Sequence, residues 1–274
     1  MPELPEVEAV ARMFAPLVAG RKIRACRVLH PIVVSRAAPG GGSGARALSR
    51  VRGRRVLGIE RRGKYLLLRL DRGWLMIHFR LDGHLVWYAR GRRPRHIDVE
   101  WEFARGTLGF VDRRHLGRVR WLNRPEDHPG IARLGIDPLS SAFGARRLQG
   151  VLEGSRRGIK LLLMDQTRIA GMGNIWTCES LWRAGIDPRR PASRIGPGET
   201  RRLAKAIVAV VRRALESCIA SAPDVGNPEW WFADADRMAR VYGREGRPCR
   251  RCGGPIRRIK QGGRSSFYCP GCQR

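Results

Sequence analysis

Residues 247–272 read RPCRRCGGPIRRIKQGGRSSFYCPGC. Cys249 and Cys252 are two residues apart, Cys269 and Cys272 likewise, and sixteen residues separate the pairs. That spacing suits two tight turns that each present two thiolates to one tetrahedral ion, so the tail is expected to hold one structural Zn2+. A segment this short has little apolar core, and metal binding would supply most of its folding free energy. The insert carries Arg257, Arg258, Lys260 and Arg264 and alternates around Ser266–Tyr268 as a β-hairpin does, which places cations where phosphates can be tracked. The other cysteines, Cys26, Cys178 and Cys218, are expected to fill core.

Ahead of the tail the chain is long enough, at 274 residues and 43% hydrophobic, to bury a core without disulfides. Its formal charge of +30 comes from 54 Lys plus Arg against 24 Asp plus Glu, and points to a polyanion, above all nucleic acid. An arginine-favouring genome accounts for the choice of Arg over Lys but not for the excess of cations. No stretch approaches the roughly 18 apolar residues of a membrane span, and the acidic N-terminus is unlike a secretory signal. The expected location is cytoplasm or nucleoid.

Helical spacing of Val7, Val10, Phe14, Leu17 and Val18 predicts a helix within the first twenty residues, with Pro5 in its first turn and Glu3, Glu6 and Glu8 at its positive end. From Lys22 to about Trp121 short β-rich segments follow, among them 65–70, 74–79 and 84–88, and the pattern admits a sandwich or a barrel. Residues 39–44 read as a flexible loop. Beyond Leu139 the chain turns helical over 146–152, 159–165, 173–184 and 199–219. Gly171 and Gly173 predict a tight turn that exposes backbone amides at a helix start. Residues 223–238, which include Trp230 and Trp231, read as a long loop.

If Met1 is removed, Pro2 leaves a secondary amine at the chain end, with Glu3 beside it. An α-amino group titrates at roughly 7.7–8.0, so part of it is a free nucleophile near neutral pH. It can attack an aldehyde-level carbon to give an iminium, while a neighbouring carboxyl shuttles protons. The same Pro-Glu pair is also ordinary capping ahead of a helix, and the residues alone leave both readings open.

PELPEVE (2–8), GKYLLL (63–68), MDQTRIAGMGNIW (164–176) and VYGREGRPCRRCGGPI (241–256), taken in order, resemble the formamidopyrimidine-DNA glycosylase family, which includes endonuclease VIII. The opening is closer to the formamidopyrimidine branch. The resemblance implies an α+β, two-lobed fold: an N-terminal β-sandwich domain with its helix (1–138), a helix-two-turn-helix domain (139–240) and a zinc finger (241–274). Double-stranded DNA containing a damaged base or an abasic site would lie in a basic cleft, held by a monomer with no membrane partner. The flipped-out nucleotide would be attacked by Pro2, with Glu3 as acid or base, and elimination would nick the strand. The implied activity is that of a bifunctional glycosylase and abasic-site lyase for oxidised purines. Oxidised pyrimidines or alkylated and bulky bases are the alternative substrates, and a non-cutting binder of distorted DNA is the alternative of another class.

The resemblance gives Lys64 a phosphate contact and proton donation during elimination, Asn174 a phosphate beside the lesion, and Arg264 a grip on the same backbone. Arg156, Arg157 and Lys160 are candidate phosphate contacts, with solvated charge as the alternative. Where the family usually reads His-x-Gly-Met-Ser-Gly, the chain has His78-Phe79-Arg80-Leu81-Asp82-Gly83, so the wedge is Leu81 and a glycine has become Arg80. In the second wedge loop, Asp112-Arg113-Arg114-His115-Leu116-Gly117, Arg114 keeps the cation expected to face the estranged base and Leu116 replaces an aromatic. Together with the unfamiliar 223–238 segment, these departures imply retained backbone chemistry and an altered lesion pocket, suited to bulky or unusual lesions.

Overall fold

The computed structural model describes residues 2–34, 44–221, 224–226 and 238–274. Two compact units emerge: one comprises Met1–Pro2, Glu6–Ala132 and Ile219–Phe232, the other Glu3–Pro5, Arg133–Cys218 and Ala233–Arg274. Helix α1 (Leu4–Val18) forms where the apolar spacing predicts it, and Leu4, Val7, Phe14 and Val18 are fully buried.

The first unit is a β-sandwich. Strands β1 (Ala25–Val28), β6 (Ile97–Phe103), β7 (Gly106–Val111) and β5 (His84–Tyr88) form one antiparallel sheet in that order. The other sheet, also antiparallel, is ordered β2 (Val56–Arg62), β3 (Tyr65–Leu70), β4 (Trp74–His78) and β8 (Arg118–Leu122). Leu66, Leu67 and Leu68 are all inaccessible, so β3 is buried on both faces. In β6 the acids of Ile-Asp-Val-Glu-Trp-Glu-Phe alternate with apolar residues, yet every residue is buried. Glu100 is tolerated there because Tyr88, Arg27 and Arg93 donate to it at 2.7–2.8 Å. Burial pushes its carboxyl up, but Arg93, Tyr88 and Arg27 outweigh this and hold it below the usual range. Of the segment expected to be a flexible loop, residues 39–43 lie outside the described ones, and Gly44 instead opens the short helix α2 (Gly44–Leu48).

After a short α3 (Pro129–Ala132) in the first unit, the second contains α4 (Ala145–Leu152), α5 (Ile159–Leu163), α6 (Asn174–Ala184) and all but the last two residues of α7 (Pro197–Ala220), close to the predicted ranges. Its core gathers Leu4, Leu148, Ile159, Leu163, Met172, Trp176, Leu203, Ile207 and Val211. The expected hairpin is β9 (Arg257–Gln261) with β10 (Arg264–Tyr268). Its two-residue turn is Gly262-Gly263, with φ of 52° and 75°, a geometry that side chains resist. Most of the predicted 223–238 loop lies outside the described residues; within it, the Val225 carbonyl accepts the Trp87 N–H at 2.7 Å. No helix among the described residues is long and apolar enough to cross a membrane.

Glu179 on α6 is buried, and its carboxylate accepts the backbone N–H groups of Arg240, Val241 and Tyr242 at 2.9–3.0 Å. It is the anchor for the segment entering the tail. Glu179→Ala strands these donors and is expected to cost about 3 kcal/mol, read from urea unfolding, with Glu179→Gln recovering part of the loss.

Candidate active site and zinc centre

The turn before α6 is built around Gln166. Its side-chain amide donates to the carbonyls of Met164 and Met172 and accepts the Gly171 N–H, at 2.7–2.9 Å. The Leu4 N–H donates to the Gly171 carbonyl at 3.0 Å. A Cβ at Gly171 would meet the Leu4 side chain at 2.7 Å, and φ is +85°, so the position needs glycine twice over. A Cβ at Gly173 would lie 2.1 Å from the Glu3 carboxyl carbon. Gly173 leaves the space in which Glu3 sits, and Gly171 the space for Leu4 next to it. The Glu3 carboxylate accepts the N–H groups of Ile175 (3.0 Å) and Trp176 (3.2 Å), at the positive end of α6.

The amides that the Gly171/Gly173 turn exposes are therefore taken, in part, by Glu3 rather than left for a phosphate. Asn174 is nearly buried and its Nδ2 donates to the Ser265 carbonyl at 3.0 Å, so its side chain also ties α6 to the hairpin. Lys160 departs from expectation. It is fully buried, with Nζ donating to Ser266 Oγ (2.6 Å) and the Ser265 carbonyl (3.1 Å), and burial pulls its ammonium below the usual range. Its charge is spent inside the unit, which does not fit a phosphate contact; sequence displays the cation but not the hairpin 105 residues away that encloses it. Arg156 and Arg264 are exposed, the latter where β10 leaves the hairpin turn.

In the first unit Pro2 is buried and Lys64 nearly so. In the same unit Tyr65, which follows Lys64, meets His78 edge-on with ring centres 4.8 Å apart, and His128 at 5.1 Å. Burial, and then the charges of Arg80, Lys64 and His128, push His78 down to about 3. It is neutral at pH 7, with Nδ1 accepting the Arg80 N–H at 3.1 Å. Arg80 has φ of 58°, which explains the family's usual glycine: the turn requires a left-handed residue, and this chain forces arginine into it.

Leu81 and Leu116 are 40% and 38% exposed, so neither is a core residue. Their loops share one foundation, because a Cβ at Gly83 or Gly117 would strike the Phe110 ring at 2.8 or 2.4 Å. Buried Asp112 accepts the N–H groups of Arg114 (3.0 Å) and Gly117 (2.6 Å), and Arg118 Nη1 donates to the carbonyls of Leu116 and Gly117. Arg114 pairs with Asp82 from the neighbouring loop. The sequence assigns no supporting role to Gln166, Phe110, Asp112 or Arg118, although Asp112 and Gly117 bracket a loop in the way a carboxylate-capped turn does.

In the tail, one Sγ from each of Cys249, Cys252, Cys269 and Cys272 lies within 4.8 Å of the others, with 3.9 Å between 249 and 272 and 3.4 Å between 252 and 269. Thiolates about 2.3 Å from a tetrahedral zinc stand roughly 3.8 Å apart, so the four fit one zinc ion with every position filled by sulfur. Trp182 Nε1 and the Arg251 N–H point at Cys249 Sγ, both at 3.4 Å, as outer-shell donors do. The ion supplies rigidity here. Burial pushes the thiols of Cys178 to about 11 and Cys26 to about 12, as befits inert packing residues.

Known proteins divide the chain in the same order. Residues 1–119 match the formamidopyrimidine-DNA glycosylase N-terminal domain, 134–222 the formamidopyrimidine-DNA glycosylase H2TH domain, and 246–274 the zinc finger found in FPG and IleRS. The formamidopyrimidine-DNA glycosylases of Burkholderia thailandensis and Acidithiobacillus ferrooxidans (strain ATCC 53993 / BNL-5-31) are 40% and 38% identical, with both chains covered completely. A complex of Lactococcus lactis Fpg with DNA containing an abasic site superposes with a TM-score of 0.87 at 29% identity, over 99% of each chain. MutM in complex with DNA containing carbocyclic 8-oxo-G also gives 0.87 at 29%, over all of both chains. Sandwich, H2TH unit and zinc finger in this sequence define an enzyme of the DNA glycosylase class. The chain belongs to the formamidopyrimidine-DNA glycosylase family.

Two outcomes follow from the geometry. The unfolded chain charges His78 near pH 6.5 while the folded chain waits until about 3, so the stability due to a neutral His78 is complete above 6.5 and lost as pH falls through that window. His78→Gln is expected to lose less stability between pH 7 and 5 than the parent, measured as urea midpoints. Removing zinc with a chelator is expected to expose the amides of 257–268 to hydrogen exchange while those of α7 stay protected.

Proposed function

We propose that the chain is a bifunctional DNA glycosylase and abasic-site lyase that excises oxidised purines from duplex DNA as a monomer, in the cytoplasm or nucleoid. The observation that carries this reading is the Glu3 carboxylate fixed on the α6 amides, one residue from the amine that Pro2 exposes once Met1 is removed. A carboxylate held this firmly cannot wander from the proton-transfer position its neighbour needs.

On this reading the Pro2 nitrogen attacks C1′ of the flipped nucleotide and the damaged base departs. Glu3 takes the proton released by the Pro2 nitrogen and passes it to the sugar oxygen, the ring opens to an iminium, and elimination breaks the phosphate ester. Lys64 contacts phosphate and donates a proton during elimination, while Arg264 and Asn174 hold the backbone beside the lesion. Arg156 adds a phosphate contact. Exposure of Leu81 and Leu116, with Arg114 in the Leu116 loop paired to Asp82 of the other, supports the use of the two leucines as wedges in the emptied base stack and of Arg114 as a partner for the estranged base. The corresponding domains are 1–138, 139–240 and 241–274.

A wider lesion range is the second reading, favoured by Arg80 at the glycine position. Lactococcus lactis Fpg has been solved with DNA containing an oxidised pyrimidine and with N7-benzyl-Fapy-dG, so the same fold accommodates both.

Borohydride trapping on duplex DNA with an abasic site tests the chemistry. The Met1-processed protein is expected to give a covalent adduct, and Pro2→Gly or a tag-blocked N-terminus to reduce its yield at least tenfold. Tight binding with neither adduct nor nick would replace the enzyme by a binder of distorted DNA. A panel in which 8-oxoguanine opposite cytosine far exceeds every other lesion would remove the second reading.

A further inference from the structure

Outside the residues assigned above, β6 is interrupted at Asp98. The register passes from Ile97 opposite Val111 to Val99 opposite Phe110, so Asp98 is the extra residue of a β-bulge. Bulges re-aim side chains, and this one buries a carboxylate completely. The Asp98 carbonyl accepts the N–H groups of Leu29 (2.8 Å) and His30 (3.1 Å), which brings the residues after β1 alongside. Oδ1 lies 2.8 Å from His115 Nδ1. Oδ2, equally buried, has no hydrogen-bond donor among the described residues. The rings of His30 and His115 stack with centres 4.4 Å apart and planes 30° apart.

A simple His115–Asp98 pair accounts for one carboxylate oxygen and leaves the other unanswered, at the cost of a buried unsatisfied acceptor. It also leaves His30 without a purpose. Protonating both imidazoles would satisfy the charge of Asp98 but stack two cations face to face. A divalent cation resolves all three difficulties: it accepts lone pairs from two neutral imidazoles, binds the carboxylate, and carries the charge that Asp98 lacks. One ligand atom from each of His30, Asp98 and His115 already lies within 4.8 Å of the other two.

We infer that His30, Asp98 and His115 form a second metal site, for zinc or another divalent ion that prefers nitrogen and oxygen ligands, distinct from the four-thiolate zinc of the tail. At metal–ligand distances of about 2.0–2.1 Å, tetrahedral ligand atoms stand roughly 3.3 Å apart. The His115–Asp98 contact must open by about half an ångström to reach this. His30 closes in from the exposed side, and water takes the fourth position. The ion would grip His115, which has φ of 53° and stands between Arg114 and Leu116. A metal bond there offsets backbone strain and stiffens the loop that carries both residues.

The test uses full-length protein whose tail zinc is retained, stripped of weakly held ions by dialysis and titrated with Zn2+ in a calorimeter. One further equivalent is expected for the parent and for Leu81→Ala. In His30→Ala, and in His115→Ala, the affinity for that equivalent is expected to fall at least tenfold. Because His30 is exposed, its replacement leaves the core intact and decides the matter even if the buried Asp98→Asn variant fails to fold. Co2+ added to the zinc-loaded protein is expected to give only the weak visible bands of a nitrogen and oxygen site, without intense thiolate charge transfer. A parent that takes up no further equivalent, or one whose uptake is unchanged in both histidine variants, overturns the proposal.

Discussion

The Glu3 carboxylate occupies a space that exists only because residue 173 has no side chain. Around that space the second unit arranges its first contacts: Gln166 fixes the turn, Leu4 closes over Gly171, and α6 begins with two N–H groups on the carboxylate. The glycines are needed for different reasons. At 171 both the backbone angle and the neighbour forbid a side chain, whereas at 173 the obstacle is the functional group itself. Ahead of α1 the residues admit Glu3 as an ordinary cap, whereas the fold sets its carboxylate on the first amides of α6, a partner 172 residues away that the sequence does not display.

The hairpin extends this logic. Lys160, Asn174 and Ser265 meet on the hairpin side of α6, and two side chains share the Ser265 carbonyl. A buried ammonium is costly unless its donors are satisfied, and Lys160 recovers the cost by pinning β10 to α5. The zinc fixes one end of the hairpin and this lysine its middle, so Arg264 stands on a strand restrained at two points.

Elements whose cause is local were legible in the sequence. The 3.6 period set α1 and α7, β-rich runs bounded by turns set β3, β4 and β5, and paired cysteines set the zinc centre. The resemblance supplied the rest of the architecture and the chemistry around Pro2. What stayed hidden depends on partners distant in the chain: the burial of Lys160, the bulge at Asp98, and the ring of Phe110 under two loops at once. Arg80 illustrates the boundary well. Its departure from glycine was visible, but the positive φ that makes the departure costly belongs to the folded turn.

Phe110 gives the loops at 80–83 and 112–117 a common floor, and Asp112, Arg118 and the Arg114–Asp82 pair fasten them to each other and to the sheet. In the proposed wedge role, loops fastened in this way do not have to fold each time they are used. For an enzyme that must examine very many ordinary bases for each damaged one, the time spent per base is then set by how readily the duplex yields and by how fast the protein translocates. If these loops are the proposed wedges, their rigidity translates into search speed, and the strain held at Arg80 and His115 is incurred once, at folding, instead of at every step along the DNA.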